Sequence, residues 1–206
     1  MSLQRILSRF SIVVLGVVLA MTASPALPAS SHEVEPPPFE LRFPQETYET
    51  EFGSTFGARR SGGRRHRGND LMAPKMTEVY AAAPGIVTTV GSSRRAGRYV
   101  EIDHLGGWSS MYAHLNNDTP GTDDGDAPWH MTVAPGVTEG SWVQAGQLIG
   151  WVGDSGNAEG ANSHTHFELA RDGHEVDPYD YLRAAFDRDH RAYLSLFRAS
   201  SPDFMV

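Results

Sequence analysis

The chain has 206 residues, no cysteine and a formal net charge of −8. This length accommodates one domain with a hydrophobic core and a tail. The acidic balance excludes a general nucleic-acid-binding role, and the lack of cysteine excludes disulfides and zinc sites built from thiolates.

The N-terminal segment, residues 1–29, has the pattern of a secretory signal peptide. Arg5 and Arg9 give it a basic start, an apolar run spans residues 10–21, and small residues then offer a cleavage site. An uncleaved N-terminal anchor is the alternative, and it would be the only contact with a membrane. Either interpretation predicts an exported domain in the periplasm, the cell wall or the medium. Residues 30–40 are rich in proline and predict an extended linker.

Residues 41–182 are predicted to form a mainly β domain. Short β-branched runs alternate there with glycine turns, and the runs read EVYAAA, GIVTTVG, RYVEIDH, GWSSMYAHL, GSWV, QLIGWVG and HTHFELA. Gly106 and Gly107 separate two of these runs, which indicates a β-hairpin.

A long loop interrupts the strands between Asn116 and Gly136. Loops of this length inside compact domains are usually functional or disordered. Its aspartates around Gly125 suggest a calcium loop, but the full ligand series and the closing glutamate are missing. An exposed acidic turn is therefore the preferred interpretation.

The C-terminal tail, residues 183–206, is predicted to be helical. Asp177 suits the N-cap and Pro178 suits the first helical position, and apolar residues then recur at helical spacing. The pattern allows one helix, or two with a break near Asp189.

The motif HTHFEL carries two histidines on one side of a predicted strand. Alternation places His164, His166 and Glu168 on one face and Phe167 and Leu169 on the other. The apolar pair belongs to the core, so both imidazoles are expected on the accessible face. A polar strand face without a ligand is the alternative for this motif alone.

A second motif, HRGND, places His66 four residues before Asp70. This spacing puts both side chains on one face of either a helix or a strand. Two histidines and one carboxylate offer the nitrogen and oxygen donors that suit Zn²⁺, with a fourth position left for water. The combined motifs therefore predict a catalytic zinc site, although HxxxD alone is a weak signal.

The strand WSSMYAHL supplies a further histidine. Alternation places Tyr112 and His114 opposite to Met111, Ala113 and Leu115. If the second group forms the core, His114 faces the zinc site with Tyr112 beside it.

In this order, HRGNDLMAP, AAAPGIV, VEIDHLGGWSSMYAHL, VTEGSWVQAGQLIGWVGDSGNAEG, HTHFEL and VDPYDYL resemble the lysostaphin-type (LytM-like) zinc metallopeptidases, which cut peptidoglycan peptides. The similarity runs from about Phe56 to Leu182. The ordered set of motifs is specific, whereas each motif alone is not. One departure is Thr165, which stands where the family usually has an apolar residue.

The resemblance implies a groove on an antiparallel β-sheet of the duplicated-hybrid-motif type, with the metal on its floor. It implies that His66, Asp70 and His166 hold Zn²⁺, that His164 is the catalytic histidine and that His114 stabilises the transition state. Tyr112 is expected to assist His114 as a donor to the substrate. Asp103 or Glu168 is expected to accept a hydrogen bond from an imidazole.

Arginines cluster around His66, and a second group lies at residues 94–98. They are either a solvated loop or a positive rim that attracts substrate carboxylates, in which case Arg64 and Arg65 bind substrate.

The sequence thus predicts a zinc endopeptidase that hydrolyses peptide bonds in peptidoglycan stem peptides or cross-links. The main alternative is a non-catalytic member of the same fold, which binds peptidoglycan or activates an amidase; such proteins typically lose metal ligands. A lipoyl-type binding module and a zinc enzyme with another substrate are two further alternatives. The lipoyl-type turn VQAGQLIGWVG lacks a modifiable lysine.

Overall fold

A computed structural model describes residues 36–200, which lie in one compact unit. The predicted signal peptide or anchor and the first half of the linker lie outside the described residues. The strands are β1 Glu51–Phe52, β2 Asn69–Met72, β3 Glu78–Tyr80, β4 Gly85–Ser93, β5 Gly97–Asp103, β6 Trp108–Leu115, β7 Trp142–Val143, β8 Leu148–Trp151, β9 His164–Arg171 and β10 His174–Val176. One α-helix, α1, spans Tyr179–Ser200, and short 3-10 helices span Ser61–Gly63, Leu105–Gly107, Trp129–Met131 and Gly156–Ala158.

Most strands form one antiparallel sheet in the order β1-β2-β9-β6-β5-β4-β7, and β10 pairs with β9. Strands β3 and β8 form a separate antiparallel pair. The structure therefore confirms the expected class, a mainly antiparallel β fold with a C-terminal helix.

The core lies against one face of the large sheet. Trp108 and Tyr112 of β6 and Phe167 and Leu169 of β9 point into it, each at most 1% exposed. The rings of Tyr112 and Phe167 meet edge to face with centroids 5.4 Å apart. Burial of these side chains leaves the opposite face of the same strands open, and that face carries the candidate site.

All seven predicted runs contain strands, and the hairpin at Gly106 and Gly107 joins β5 to β6. The sequence prediction missed β1, β2 and β10, which have two to four residues each. Strands this short carry too few alternating positions for a period of two to stand out.

Helix α1 is continuous, which confirms the one-helix alternative and excludes the two-helix alternative with a break near Asp189. Asp177 caps the helix, since its Oδ1 accepts a hydrogen bond from the backbone N–H of Tyr179 at 2.9 Å. Asp189 remains helical and its carboxylate accepts from the backbone N–H of Phe43 at 2.9 Å and from Arg42 at 3.1 Å. The start of the helix at Tyr179 agrees with the N-cap predicted at Asp177, so its first residues lie within the predicted domain 41–182. Residues 201–206 of the predicted tail lie outside the described residues. Between residues 36 and 200, no helix combines the length and the apolar character that crossing a bilayer requires.

Ion pairs with Lys75 tie the loop from Asn116 to Gly136 to the rest of the domain. The ammonium of Lys75 lies 2.6 Å from Asp118, 2.5 Å from Asp123 and 2.9 Å from Asp154. Asp118 and Asp154 are both 2% exposed, so this ammonium compensates buried carboxylates. Glu159 lies close to Asp118 and Asp123. The ammonium of Lys75 supplies the positive charge that these two aspartates share.

Candidate metal centre

Strands β2 and β9 bring the two motifs together. Their antiparallel register sets Asp70 directly opposite His166, and both side chains point to the open face. His66 precedes β2 and reaches the same point across Gly68. A Cβ at Gly68 would lie 2.1 Å from the carbonyl oxygen of Phe167, so only glycine lets the chain pass β9 this closely.

Three ligand-type atoms meet at this point: His66 Nε2, Asp70 Oδ1 and His166 Nδ1. The two nitrogens lie 2.8 Å apart, and each lies 3.0 Å from the Asp70 oxygen. These atoms come from two segments separated by about half the chain, so their convergence is a product of the tertiary fold.

The remaining nitrogen of each ring has a hydrogen-bond acceptor. His66 Nδ1 lies 2.9 Å from the backbone oxygen of Thr55, and His166 Nε2 lies 3.0 Å from Glu168 Oε1. Each neutral ring therefore carries its proton on the outer nitrogen and turns a bare lone pair towards Asp70. Three lone pairs that converge in this way repel one another unless a cation or a proton lies among them.

The donor set fits zinc. Atoms at about 2.0–2.1 Å from a tetrahedral zinc lie roughly 3.3 Å from one another, so these three would separate by only a few tenths of an ångström. In the metal-free protein, burial opposes a charge on His166, but hydrogen bonds to Asp70 and Glu168 outweigh burial and raise its pKa. Burial likewise opposes the charge on Asp70, yet contacts with His166 and His66 lower its pKa well below the usual range. In the metal-free protein a proton therefore occupies the position among these three atoms that would suit a metal cation.

His164 lies beside the three ligand-type atoms. Its Nε2 is 3.8 Å from Asp70 Oδ1, and its Nδ1 is 2.8 Å from the backbone oxygen of Asn162. The carbonyl accepts the Nδ1 proton, so Nε2 of the neutral ring is bare and can accept a proton from water.

His114 reaches the same groove, but not for the reason given by strand alternation. The pairing of β5 with β6 passes from Arg98 opposite Leu115 to Val100 opposite Tyr112, which leaves two residues of β6 against one of β5. At this β-bulge His114 has a φ of +59°, a rare value for a residue other than glycine. Met111 and Ala113 line the groove instead of the core, so that part of the expectation is wrong.

The ring of His114 lies next to that of His164, with centroids 5.0 Å apart. Its Nδ1 lies 2.8 Å from the backbone oxygen of Ser155. Burial lowers the pKa of His114 to about 4, although the bond to Ser155 acts in the opposite direction. His114 is therefore neutral near pH 7 and presents a bare Nε2.

The expectation that Tyr112 contacts substrate is wrong. Tyr112 is fully buried, and its hydroxyl accepts from the backbone N–H of Ala82 at 2.7 Å and bonds to Ser110 at 3.0 Å. It lies before the bulge and so keeps the core orientation of Trp108 and Ser110. Burial raises the pKa of its phenol to about 12.

A groove of about 790 Å³ surrounds the ligand-type atoms, and six arginines line it: Arg59, Arg60, Arg64, Arg65, Arg67 and Arg95. Arg60 donates to Asp70 Oδ2 at 2.5 Å, and Arg67 pairs with Glu175. Arg64 and Arg65 bond to the backbone oxygens of Ser61 and Gly57, which leaves their charges without a carboxylate partner among the described residues.

The sequence prediction missed several groups that orient the site. Of the two acceptors expected for an imidazole, Glu168 serves His166, whereas Asp103 is exposed. The contact of Arg60 with Asp70 was not anticipated. The acceptors at Thr55, Ser155 and Asn162 are backbone carbonyls, which leave no signature in the residue types.

A family model described as "Peptidase family M23" matches residues 64–126 and 129–178. The DD-carboxypeptidase/endopeptidase Mpg of Neisseria meningitidis is 34% identical over 115 residues, 56% of this chain and 22% of that protein. The L-Ala--D-Glu endopeptidase of Bacillus subtilis is 31% identical over 144 residues, 65% of this chain and 40% of that protein. The murein hydrolase activator NlpD of Salmonella dublin is 32% identical over 172 residues, 82% of this chain and 39% of that protein. The chain thus spans well under half the length of these relatives.

Solved structures show the same fold. The catalytic domain of lysostaphin from Staphylococcus simulans has a TM-score of 0.51 at 25% identity, covering 65% of this chain and 92% of that one. A zinc-containing peptidase from Vibrio cholerae has a TM-score of 0.53 at 25% identity, covering 67% of this chain and 39% of that one.

Proposed function

The chain belongs to peptidase family M23, and from this membership we propose that it is a zinc-dependent endopeptidase acting on peptidoglycan stem peptides or cross-links. The observation that carries the proposal is the convergence of His66 Nε2, Asp70 Oδ1 and His166 Nδ1 within 3.0 Å of one another. The peptidoglycan substrate is inferred from relatives named as DD- and L-Ala--D-Glu endopeptidases.

His66, Asp70 and His166 would hold the zinc. When bound, zinc would polarise the scissile carbonyl and acidify a water molecule. His164 then acts as general base: its bare Nε2 takes the proton of the attacking water, and the same nitrogen later donates that proton to the leaving amine. The Asn162 carbonyl keeps the ring in the tautomer that this task needs.

His114 shares the groove with His164 and stabilises the transition state. Its Nδ1 proton is committed to Ser155, so a neutral His114 can only accept at Nε2. Donation to the developing oxyanion therefore requires that His114 first take up a proton from solvent at Nε2, against the burial that lowers its pKa. A well-placed donor of this kind is worth about 3–4 kcal/mol.

The arginines of the groove, with Arg64 and Arg65 first among them, would bind carboxylates of the substrate. Their guanidinium groups are uncompensated in a chain whose net charge is −8. A positive groove in an acidic protein favours a peptide with free carboxylates over an uncharged glycine bridge.

A second candidate function is activation of another hydrolase without catalysis, because the relative that matches most of this chain among those described above is an activator. The complete set of ligand-type atoms favours the enzyme, since an activator has no need for a groove with a metal-binding cluster. Both candidates act on the cell wall, so both predict a location beyond the cytoplasmic membrane.

The test is digestion of purified peptidoglycan by a protein of residues 30–206, with zinc content measured on the same sample. We expect about one zinc per chain, release of muropeptides, and loss of both with a strong chelator. Mass analysis of the products identifies the bond that is cut. A zinc-loaded protein that releases nothing but stimulates a separate amidase would support the activator instead.

A further inference from the structure

We propose that Ser155 is a positioning residue that holds the imidazole of His114 in its catalytic orientation. The expected effect of Ser155 on turnover rests on the proposed function. The geometry of the contact is independent of that function.

The hydroxyl of Ser155 closes the β-bulge that carries His114. Its Oγ accepts a hydrogen bond from the backbone N–H of Arg98 at 2.9 Å and donates one to the backbone oxygen of Leu115 at 2.7 Å. Arg98 and Leu115 are the pair at one edge of the bulge. One side chain from a separate segment therefore joins β5 to β6 where their own ladder is interrupted.

The carbonyl of the same residue binds the imidazole. Ser155 O accepts the Nδ1 proton of His114 at 2.8 Å, which fixes both the tilt of the ring and its tautomer. Because the hydroxyl and the carbonyl belong to one residue, the bulge and the ring are held by a single rigid unit. His114 has the strained φ of +59°, so it depends on such external support.

The surroundings leave Ser155 little freedom. It is 3% exposed, and a Cβ at Gly97 would lie 2.2 Å from its Oγ. The preceding residue, Asp154, is 2% exposed and lies 2.9 Å from the ammonium of Lys75. The peptide that carries the His114 acceptor is thus anchored from both sides.

The hydroxyl of Ser155 contacts β5 and β6 and does not line the groove. Loss of this hydroxyl should therefore affect turnover and not substrate affinity. An imidazole displaced by about 1 Å loses on the order of a hundredfold in rate when geometry is critical. The proposed zinc ligands lie on β2, on β9 and, for His66, just before β2, and no hydrogen bond or ion pair among the described residues joins them to Ser155.

The experiment compares Ser155→Ala with Ser110→Ala in the full, zinc-loaded chain. Ser110 is a matched control, since it is also a buried serine, 3% exposed, and its hydroxyl bonds to Tyr112 and His104 in the core. The measured quantities are kcat, KM, zinc affinity, the melting temperature and the NMR signal of the His114 Nδ1 proton. For Ser155→Ala we expect kcat to fall roughly ten- to a hundredfold with KM and zinc affinity unchanged, and the Nδ1 proton signal to broaden or vanish. Ser110→Ala should lower only the melting temperature.

Unchanged kcat and an intact Nδ1 proton signal in a folded Ser155→Ala protein would overturn the proposal. The proposal would also be overturned if Ser155→Ala and Ser110→Ala changed kcat, KM and zinc affinity by equal amounts. Equal changes would indicate a general structural role for both serines. If the alanine variant does not fold, Ser155→Cys keeps the shape with a weaker donor and carries the same test. If the unmodified chain does not cleave peptidoglycan, the proposed function fails, while the Nδ1 proton signal still decides the role of Ser155.

Discussion

His66 Nε2 lies 2.8 Å from His166 Nδ1, and the outer nitrogen of each ring is already bonded, to Thr55 and to Glu168 respectively. Two bare imidazole nitrogens at this distance need a shared positive charge. The relationship makes the cluster a binding site for a cation or a proton, and each occupant excludes the other.

Asp70 supplies the only negative ligand atom of the cluster among the described residues, so Asp70→Asn should remove the metal. The amide has the same shape but no charge, and we expect zinc affinity to fall by at least about a hundredfold, judged against the 10–100-fold cost of altering an outer-shell partner. Activity should disappear in parallel. The measurement is chelator competition, and the control is Asp180→Asn, which makes the same charge change on the exposed start of α1. Full zinc binding by Asp70→Asn would contradict the ligand assignment.

Replacing His164 separates chemistry from metal binding. Its Nε2 lies 3.8 Å from Asp70 but is not one of the three converging atoms, so His164→Ala should keep zinc. Loss of the general base should lower kcat by about 10²–10⁴-fold. Zinc content and muropeptide release are measured on the same preparation, with the exposed His174→Ala as control. Normal turnover in His164→Ala would show that another group takes the proton.

The candidate site was predictable where a strand is regular. The alternation of HTHFEL places His164, His166 and Glu168 on the open face, and β9 has this arrangement with Phe167 in the core. Regular pleating depends only on local sequence, so residue types are sufficient.

The same argument failed at β6, because a β-bulge is a tertiary feature. His114 faces the groove although Tyr112, two residues before it, is in the core. The bulge depends on the pairing with β5 and on Ser155, 41 residues away along the chain. The backbone carbonyl of Thr55 likewise reaches His66 from 11 residues away along the chain.

The arginine groove predicts a salt-dependent substrate affinity. Reversing both Arg64 and Arg65 to glutamate should raise KM, and more at low salt, where the screening length is about 30 Å, than at physiological salt, where it is about 8 Å. The matched control reverses Arg191 and Arg198, exposed arginines near the end of α1, which changes the net charge by the same amount. Equal KM values for the two double variants at both salt concentrations would remove the arginines from substrate binding.

His114 should make the stability of the metal-free protein depend on pH. Its pKa is about 4 in the folded chain, because of burial, against about 6.5 when unfolded. Between these values the unfolded state binds more protons, so stability is fully present above pH 6.5 and is lost as the pH falls towards 4. The contribution is at most about 3 kcal/mol. We expect His114→Asn, whose side chain tolerates a positive φ, to lose less stability than the unmodified chain between pH 7 and pH 4.5 in urea unfolding. Identical losses in both proteins would contradict a depressed pKa.

Thr165 offers a gain in stability without a change at the site. It stands between the two histidines of β9 but points into the core, where it is fully buried and its hydroxyl has no hydrogen-bond partner within residues 36–200. An unsatisfied buried hydroxyl costs about 1–3 kcal/mol, so Thr165→Val should raise the free energy of unfolding by about that amount. Zinc affinity should not change, because His164 and His166 face the opposite side of the strand. Thr132→Val is the control: this threonine is equally buried, but its hydroxyl accepts a hydrogen bond from Arg98 at 2.6 Å, so the same replacement should destabilise the protein. Denaturant unfolding of both variants measures the contrast, and a loss of stability in Thr165→Val would mean that the hydroxyl is satisfied in solution.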